Sequence, residues 1–230
     1  MIGIIGAMEE EVAALKAQMK VDKIIEQASM EFCVGTLCKK EVVIVRSGIG
    51  KVNAAVCAQI LIDKFSVNML INTGIAGSLN ADINIGDMVI SVDAIHHDMD
   101  ATIFGDPVGQ VPRMDTLAFV ADETLVEKAK IANEEANPDI KTIKGRVVSG
   151  DQFVSSAEVK SRIIDNFQAD CTEMEGAAIA QVAYLNQIPY VIVRAISDKA
   201  DNSAVLDYPE FEKQAIIHSV KLIQNLLPRI

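Results

Sequence analysis

Short apolar runs alternate with helical patterns along the whole chain, and this alternation constrains the fold more than any other feature. Strands are predicted at residues 2–5, 41–45, 67–72, 87–95, 146–148 and 190–196. Helices are predicted at residues 8–20, 52–65, 124–136, 158–167 and 174–186, and a last helix begins at Pro209 and ends at Pro228. Such alternation favours a mainly parallel sheet covered by helices on both faces. Ligands of these folds gather at the carboxyl ends of the strands.

Composition narrows the class of protein further. The 230 residues show no compositional break, so we predict a single domain over residues 1–230. Hydrophobic residues make up 50% of the chain but aromatic residues only 4%, which predicts a core of aliphatic side chains. A formal charge of −11 repels a phosphate backbone, so nucleic acid is not an expected partner.

The sequence also argues against membrane, metal and cofactor sites. No apolar stretch reaches the roughly 18–20 residues that span a bilayer. The four cysteines form no C-x-x-C pair, which is typical of reduced thiols in a cytoplasmic protein. His96 and His97 are adjacent, and adjacent side chains diverge on a strand, so they are not expected to share a metal. The segment Gly48-Ile49-Gly50 matches neither a dinucleotide nor a Walker motif, and no cofactor is expected.

Glu11 is the first candidate for chemistry. It follows the first predicted strand, in the first turn of a helix whose apolar stripe includes Met8, Val12 and Leu15. At about 100° per residue, Glu11 lies roughly 60° from Met8, at the edge of this stripe, whereas Glu10 points nearly opposite. A carboxylate turned toward the sheet is costly unless it has a partner or a function.

Glu175 is the second candidate, at the start of the predicted helix 174–186. On a helix it shares a face with Ile179 and Val182, whereas Glu173 faces the other way. We therefore predict that Glu175 points inward and that Glu173 does not.

Arg194 and Asp198 complete the set of candidate residues. Arg194 interrupts an apolar strand, where a guanidinium needs an anionic partner, and Glu11 or Glu175 would serve. Asp198 follows at the end of this strand and either belongs to a site or caps a turn. Three acids and one arginine at three strand ends suit acid–base hydrolysis of the glycosidic kind. One carboxylate activates water, and a second, protonated, helps the leaving group depart.

Taken together in this order, the motifs resemble those of the 5′-methylthioadenosine/S-adenosylhomocysteine nucleosidases. The resemblance runs nearly end to end. It rests on residues 2–11 (IGIIGAMEEE), 47–52 (SGIGKV), 72–74 (NTG), 148–151 (VSGD), 173–175 (EME) and 194–198 (RAISD). It implies a nucleoside-phosphorylase-like, three-layer α/β/α sandwich around a twisted, mostly parallel mixed sheet. It also implies an enzyme that releases adenine from these adenine nucleosides without a cofactor.

The same resemblance implies the catalytic roles. Asp198 is expected to protonate N7 of adenine. Glu11, helped by Arg194, is expected to orient and deprotonate the attacking water. Glu175 is expected to bind the ribose hydroxyls.

The remaining substrate contacts are also implied by the resemblance. Met174 is expected to pack beneath the sugar, and backbone groups of Phe153 and Val154 to read the edge of adenine. Ile75 is a departure, because members of the family often carry Ser there. One hydroxyl contact is therefore expected to be missing, while the backbone part of the site survives. The complete set of implied contacts within one chain is Met8, Ile49, Ile75, Phe153, Val154, Met174, Glu175 and Ser197.

The stretch from residue 98 to residue 116 has no clear period and is predicted to be a long functional loop. Its apolar side chains would be exposed in a monomer, and such patches mark contacts: Phe104, Val108, Val111, Pro112 and Met114. In the resembled family this loop crosses a dimer interface, which implies a homodimer with Phe104 and Pro112 at a shared site. Alternatively, the loop folds back on its own domain as a lid.

Other functions remain to be weighed against hydrolysis of these nucleosides. A purine nucleoside phosphorylase would need cations that converge on phosphate, which Glu11 would repel. A nucleosidase for AMP would need a cationic phosphate pocket that the sequence does not offer, and a futalosine nucleosidase is a further rival. A non-catalytic nucleoside-binding module would not need Glu11, Glu175, Arg194 and Asp198 together.

Overall fold

A computed structural model describes residues 1–230, apart from the side chain of Leu206. The strands are β1 (Ile2–Gly6), β2 (Lys20–Gln27), β3 (Met30–Leu37), β4 (Lys40–Arg46), β5 (Met69–Ser78), β6 (Met88–His96), β7 (Phe119–Val120), β8 (Thr142–Ser149), β9 (Cys171–Glu173) and β10 (Tyr190–Asp198). The helices are α1 (Glu9–Gln18), α2 (Lys51–Phe65), α3 (Glu123–Ala136), α4 (Ala157–Phe167), α5 (Gly176–Asn186) and α6 (Ala204–Leu226). Short 3₁₀ turns lie at Thr102–Phe104 and Leu227–Arg229.

The strands form one mixed sheet in the order β10-β6-β8-β9-β5-β1-β4-β3-β2, with β7 beside β6. A further pairing of β10 with β5 closes five of these strands into a ring. Strands β4, β1, β5 and β10 run parallel to one another, so their carboxyl ends meet at one edge of the sheet. Helices α1 and α3 pack against α6, while α2 packs against α5. The predicted mixed sheet with helices on both sides is confirmed.

The core is aliphatic, and small residues bring its layers close together. Every residue of β1 and of β10 is buried. A Cβ on Gly6 would lie 2.7 Å from a methyl group of Val12, so glycine is needed there for α1 to approach β1. This close approach places the start of α1 over the end of β1. Within the described chain, no helix combines the length and the apolar character that a bilayer crossing requires.

The hairpin formed by β2 and β3 was not predicted. The sequence predicts a helix that ends at residue 20 and no further element until the strand that begins at residue 41. The turn between β2 and β3 has positive φ at Ala28 and Ser29, and the turn between β3 and β4 has positive φ at Cys38 and Lys39. Hairpin turns usually carry Asn or Gly at such positions. The usual turn signal is therefore missing from both ends of β3.

The last helix begins earlier than predicted. Pro209 was expected at its start, but α6 begins at Ala204, and Pro209 lies inside it. The loop before the helix is closed by Asp201, whose carboxylate accepts hydrogen bonds from the N–H and the hydroxyl of Ser203 at 3.0 and 2.9 Å. The helix can therefore start before the proline, which brings Tyr208 into it.

Candidate active site

A cavity of about 220 Å³ opens where β1, β5, β9 and β10 end. Most of the predicted site residues line it: Met8, Glu11, Ile49, Ile75, Phe153, Met174, Glu175, Ser197 and Asp198. Val154 lines a smaller adjoining cavity of about 30 Å³, which Asp198 and Phe153 also line. Three of the predicted site residues, Arg194, Phe104 and Pro112, do not line either cavity.

Glu11 lies in the first turn of α1 and is held by backbone N–H groups. Its Oε2 accepts hydrogen bonds from Ala7 at 2.6 Å and Met8 at 3.0 Å, and its Oε1 accepts one from Ile75 at 3.2 Å. Burial raises the pKa of Glu11, against the opposing effects of Arg194 and these N–H groups. A raised pKa suits a general base. The Ile75 contact is made by backbone, so it does not depend on the side chain at this position.

Asp198 ends β10, and both of its oxygens are bonded. The hydroxyl of Ser197 donates to Oδ2 at 2.8 Å, and the N–H of Ala200 donates to Oδ1 at 2.8 Å. A Cβ on Gly77 would lie 2.8 Å from Oδ1, so glycine makes room for the carboxylate. Burial raises the pKa of Asp198 although both hydrogen bonds lower it. A carboxyl group that holds its proton at higher pH is suited to act as an acid.

Arg194 pairs most closely with Glu173, which was not a predicted partner, and forms a longer ion pair with Glu175, which was. Its Nη2 donates to Oε2 of Glu173 and to the side chain of Asn72, whereas Oε2 of Glu175 lies 4.0 Å away. The prediction that Glu173 points outward was wrong, because both Glu173 and Glu175 are buried. Residue 173 belongs to β9, and α5 begins only at Gly176. Helical periodicity therefore does not apply to Glu173, and a bend at residues 174–175 separates β9 from α5.

The carboxylate of Glu173 is surrounded by donors. Its Oε2 accepts from the N–H groups of Glu175 at 3.1 Å and Gly176 at 2.8 Å. The hydroxyl of Ser149 donates to Oε1, and Arg194 donates to Oε2. Glu173 thus caps the start of α5 and fixes Arg194 at the same time. Sequence reasoning missed this residue because its direction depends on where β9 ends and α5 begins.

Glu175 reaches the cavity from the start of α5. Its Oε1 accepts a hydrogen bond of 2.9 Å from the N–H of Gly50, which lies in the loop after β4 with φ of 96°. Burial and then the charge of Glu173 raise the pKa of Glu175, against the effects of Arg194 and Gly50. A carboxylate with a single backbone donor keeps further acceptor positions for the hydroxyl groups of a ligand.

Tyr208 also lines the cavity and was not predicted. Its ring meets Phe153 edge-on, with centroids 5.8 Å apart and planes at 88°. Its hydroxyl donates to Glu212 at 3.0 Å and lies 3.3 Å from the sulfur of Met8. Because the sequence started this helix at Pro209, it left Tyr208 outside every predicted element. An aromatic residue four positions before Glu212 was the available signal.

The structure divides the residues of the long loop into two groups. Val108, Val111 and Met114 are partly buried against the protein's own core, so the prediction that they would be exposed was wrong for them. Phe104 and Pro112 are exposed and do not line the cavity, and Phe104 is 85% accessible. Within one chain, these two residues are not part of the site.

Comparison with known proteins defines the class first. The model of the phosphorylase superfamily matches residues 1–228. A 5′-methylthioadenosine/S-adenosylhomocysteine nucleosidase from Staphylococcus saprophyticus is 45% identical, and the match covers 100% of both chains. The chain therefore belongs to the 5′-methylthioadenosine/S-adenosylhomocysteine nucleosidases of the phosphorylase superfamily.

Solved structures agree with this family. The Colwellia psychrerythraea nucleosidase in complex with adenine is 40% identical, with a TM-score of 0.95 over 99% of this chain and 94% of that one. The Neisseria meningitidis nucleosidase in complex with methylthio-immucillin-A is 39% identical, with a TM-score of 0.96 over 100% and 99%. A futalosine hydrolase from Helicobacter pylori is 32% identical, with a TM-score of 0.94 over 100% and 99%. The backbone alone therefore does not separate these substrates.

Proposed function

We propose that this protein hydrolyses the N-glycosidic bond of 5′-methylthioadenosine and S-adenosylhomocysteine, with Asp198 as the acid and Glu11 as the base. The products are adenine and the 5-thio-substituted ribose. The relatives named above carry this activity in their names. The observation that carries the assignment of roles is the placement of Glu11 and Asp198 on one cavity, each with a raised pKa.

In the proposed reaction, protonated Asp198 donates its proton to N7 of adenine as the bond between C1′ and N9 breaks. The bonding electrons leave with adenine, and positive charge develops on the ribose ring. Glu11 takes a proton from the attacking water, whose oxygen forms the new bond to C1′. The positive charge of Arg194 favours the ionised form of Glu11, which must accept the proton. Glu175 fixes the sugar by accepting hydrogen bonds from its hydroxyl groups.

The two cavities suggest where the parts of the substrate lie. We assign adenine to the side that Phe153, Val154 and Asp198 share, because the acid must reach the base. The thioether group of Met174 then packs against the sugar. Met8 and Tyr208 line the larger cavity and not the smaller one, and we assign the 5′-substituent to their part of the larger cavity.

The charges that line the cavity favour water over phosphate as the nucleophile. The carboxylates of Glu11, Glu173 and Glu175 line it beside the protonated acid Asp198, and no lysine or arginine lines it among the residues that the structure describes. A phosphate dianion would be repelled there. The same argument disfavours AMP as a substrate.

We therefore expect adenine release from 5′-methylthioadenosine in phosphate-free buffer, with free methylthioribose as the second product. The measurement is chromatography of both products, with and without added phosphate. Recovery of the sugar 1-phosphate, with no turnover when phosphate is absent, would show that the protein is a phosphorylase.

We propose further that the protein is a homodimer in which Phe104 and Pro112 reach the partner's cavity. Ile103 and Phe104 are 86% and 85% accessible, and Val52 at the start of α2 is 74% accessible. Large apolar side chains exposed to this extent on neighbouring segments are typical of a protein interface. The ion pair of Lys51 with Asp98 joins these two segments.

A mixture of two impaired chains tests the shared site. Asp198→Asn and Phe104→Ala chains are each expected to be impaired as homodimers. A heterodimer would combine an intact Asp198 with an intact Phe104 at one of its two sites. Random exchange of equal amounts should then restore about a quarter of the wild-type activity. Monomeric elution in light scattering at micromolar concentration, or no rescue despite proven exchange, would contradict the proposal.

A cytoplasmic location stays a prediction. Cys33, Cys57 and Cys171 are buried and Cys38 is exposed, and all four are free thiols. Free thiols are the usual state of cysteine in a reducing compartment. Fractionation of cells that express the protein from its native locus would test this location.

A further inference from the structure

Three charged residues close a ring of contacts beside the cavity without lining it. The ammonium group of Lys51 pairs with Oδ1 of Asp98 at 2.5 Å. The N–H of Asp151 donates to Oδ2 of Asp98 at 2.9 Å, and the N–H of Lys51 donates to Oδ1 of Asp151 at 2.8 Å. The ring ties together the start of α2 and the segments that follow β6 and β8. We call these three residues the clamp.

Helix α2 depends on the clamp for its N-terminal cap. Its N-cap residue is Gly50, which has no side chain to accept a hydrogen bond from the first turn. Asp151 supplies the missing acceptor from a different part of the chain, and its negative charge also suits the positive end of the helix dipole. Asp98 in turn holds the backbone of Asp151. The position of Gly50 is therefore set by residues outside its own loop.

Close packing around the clamp shows that it is a built feature. A Cβ on Gly150 would overlap the imidazole ring of His97 and would lie 3.1 Å from the carboxyl carbon of Asp98. Partial burial opposes ionisation of Asp98, but Lys51 and the N–H of Asp151 outweigh it and lower the pKa of this carboxyl group. Asp98 thus remains a charged anchor at neutral pH.

The clamp is connected to the carboxylate of Glu175 through a single hydrogen bond. Gly50, which the clamp positions, donates its N–H to Oε1 of Glu175 at 2.9 Å. This is the only backbone donor that contacts the Glu175 carboxylate among the hydrogen bonds of the described residues. We infer that Lys51, Asp98 and Asp151 are positioning residues for ribose recognition, acting through Gly50 on Glu175. This inference rests on the proposed function, in which Glu175 binds the ribose hydroxyls.

Loss of the clamp should affect some substrates and not others. If the clamp only supported the fold, its loss would slow every substrate to the same degree. If it positions Glu175, its loss should matter only for substrates that carry the hydroxyl that Glu175 binds. Analogues of 5′-methylthioadenosine without the 2′- or the 3′-hydroxyl separate the two cases. Each variant is compared with the wild type on the same analogue, so differences in intrinsic lability cancel.

The test uses Asp98→Asn and Lys51→Met, with Glu175→Gln as the reference. The analogue on which Glu175→Gln loses least activity relative to the wild type is the one that lacks the hydroxyl that Glu175 binds. On 5′-methylthioadenosine, each clamp variant is expected to raise KM about 5–20-fold with a smaller change in kcat. On the identified analogue, the clamp variants should match the wild type. The double variant Asp98→Asn/Glu175→Gln should be no worse than Glu175→Gln alone.

A matched control is Lys144→Met, which removes an exposed ion pair with Glu127 far from the cavity and should leave KM unchanged. Equal losses on all substrates, additive losses in the double variant, or unchanged KM in both clamp variants would overturn the inference while leaving the proposed function in place. A wild-type protein that releases no adenine would instead overturn the proposed function, and the inference with it. Melting temperatures of all variants show whether each is folded. If Asp98→Asn does not fold, Lys51→Met takes its place in the test.

Discussion

Replacement of Asp198 by Asn is expected to reduce adenine release by about 10²–10⁴-fold, the usual contribution of a general acid. Adenine is a poor leaving group until N7 carries a proton, and an amide has no proton of suitable acidity to give. The side chain itself should fit. The amide oxygen can accept the N–H of Ala200, and the amide N–H₂ can donate to the hydroxyl of Ser197 once that hydroxyl turns. The measurement is single-turnover release of adenine at saturating enzyme.

The same variant is expected to be more stable than the wild type at neutral pH. The pKa of Asp198 is raised above its ordinary value of 3.8 by burial, so the folded protein favours the protonated form. The ionised carboxylate therefore costs stability above that pH, and the cost grows as pH rises through the folded pKa. The amide of the variant would carry no charge and would escape this cost. The melting temperature should rise by about 2–4 °C for each 1 kcal/mol regained at pH 7–8, and the difference should vanish below pH 3.8.

Asp201→Asn is the matched control for both measurements. Hydrogen bonds from Ser203 outweigh the small effect of burial and lower the pKa of Asp201, so the sign of its linkage is opposite. Its ionised form contributes stability above its ordinary pKa, and the amide should lose some of it. Activity should fall far less than in Asp198→Asn, because Asp201 does not line the cavity. Near-normal turnover by Asp198→Asn would move the acid role to another residue.

The part of the fold that sequence could predict is the part whose signal is local. The buried parallel strands read as apolar runs because both of their faces are covered by helices. The β2–β3 hairpin has no such signal, since β2 is mostly exposed. The turns at the two ends of β3, Ala28-Ser29 and Cys38-Lys39, also lack Asn and Gly. These turns form because neighbouring strands enforce them, which is a tertiary effect.

The candidate site followed the same division. Glu11 could be placed from helical periodicity because α1 begins at Glu9, so the period applies to its position. Glu173 could not, because its direction depends on where β9 ends and α5 begins. Tyr208 was missed because its position depends on α6 starting ahead of Pro209. The exposed Phe104 and Pro112 belong to a site only if a second chain supplies the rest of it.

The largest effect on stability is expected from Glu173→Gln. Three N–H donors and the hydroxyl of Ser149 surround this carboxylate in the described structure, so only that hydroxyl, once it turns, could accept from the amide N–H₂ of Gln. The buried guanidinium of Arg194 would also lose its closest ion pair and keep only the pair of 4.0 Å with Glu175. Breaking a buried ion pair from one side costs about 3–5 kcal/mol, which corresponds to a melting temperature lower by roughly 6–20 °C in a chain of this size. Thermal and urea unfolding measure this loss.

Glu175→Gln is the matched control, because it makes the same change of side chain two residues away. Glu175 accepts one backbone N–H and has a raised pKa. At pH values above 4.5, its ordinary pKa, loss of its charge should therefore leave stability unchanged or increase it. Its expected defect lies in substrate binding. The double variant Glu173→Gln/Arg194→Met should recover part of the stability lost in Glu173→Gln, since the buried guanidinium is removed together with its closest partner. If Glu173→Gln were as stable as Glu175→Gln, the ion pair with Arg194 would not hold the start of α5, and the two carboxylates would have to exchange roles.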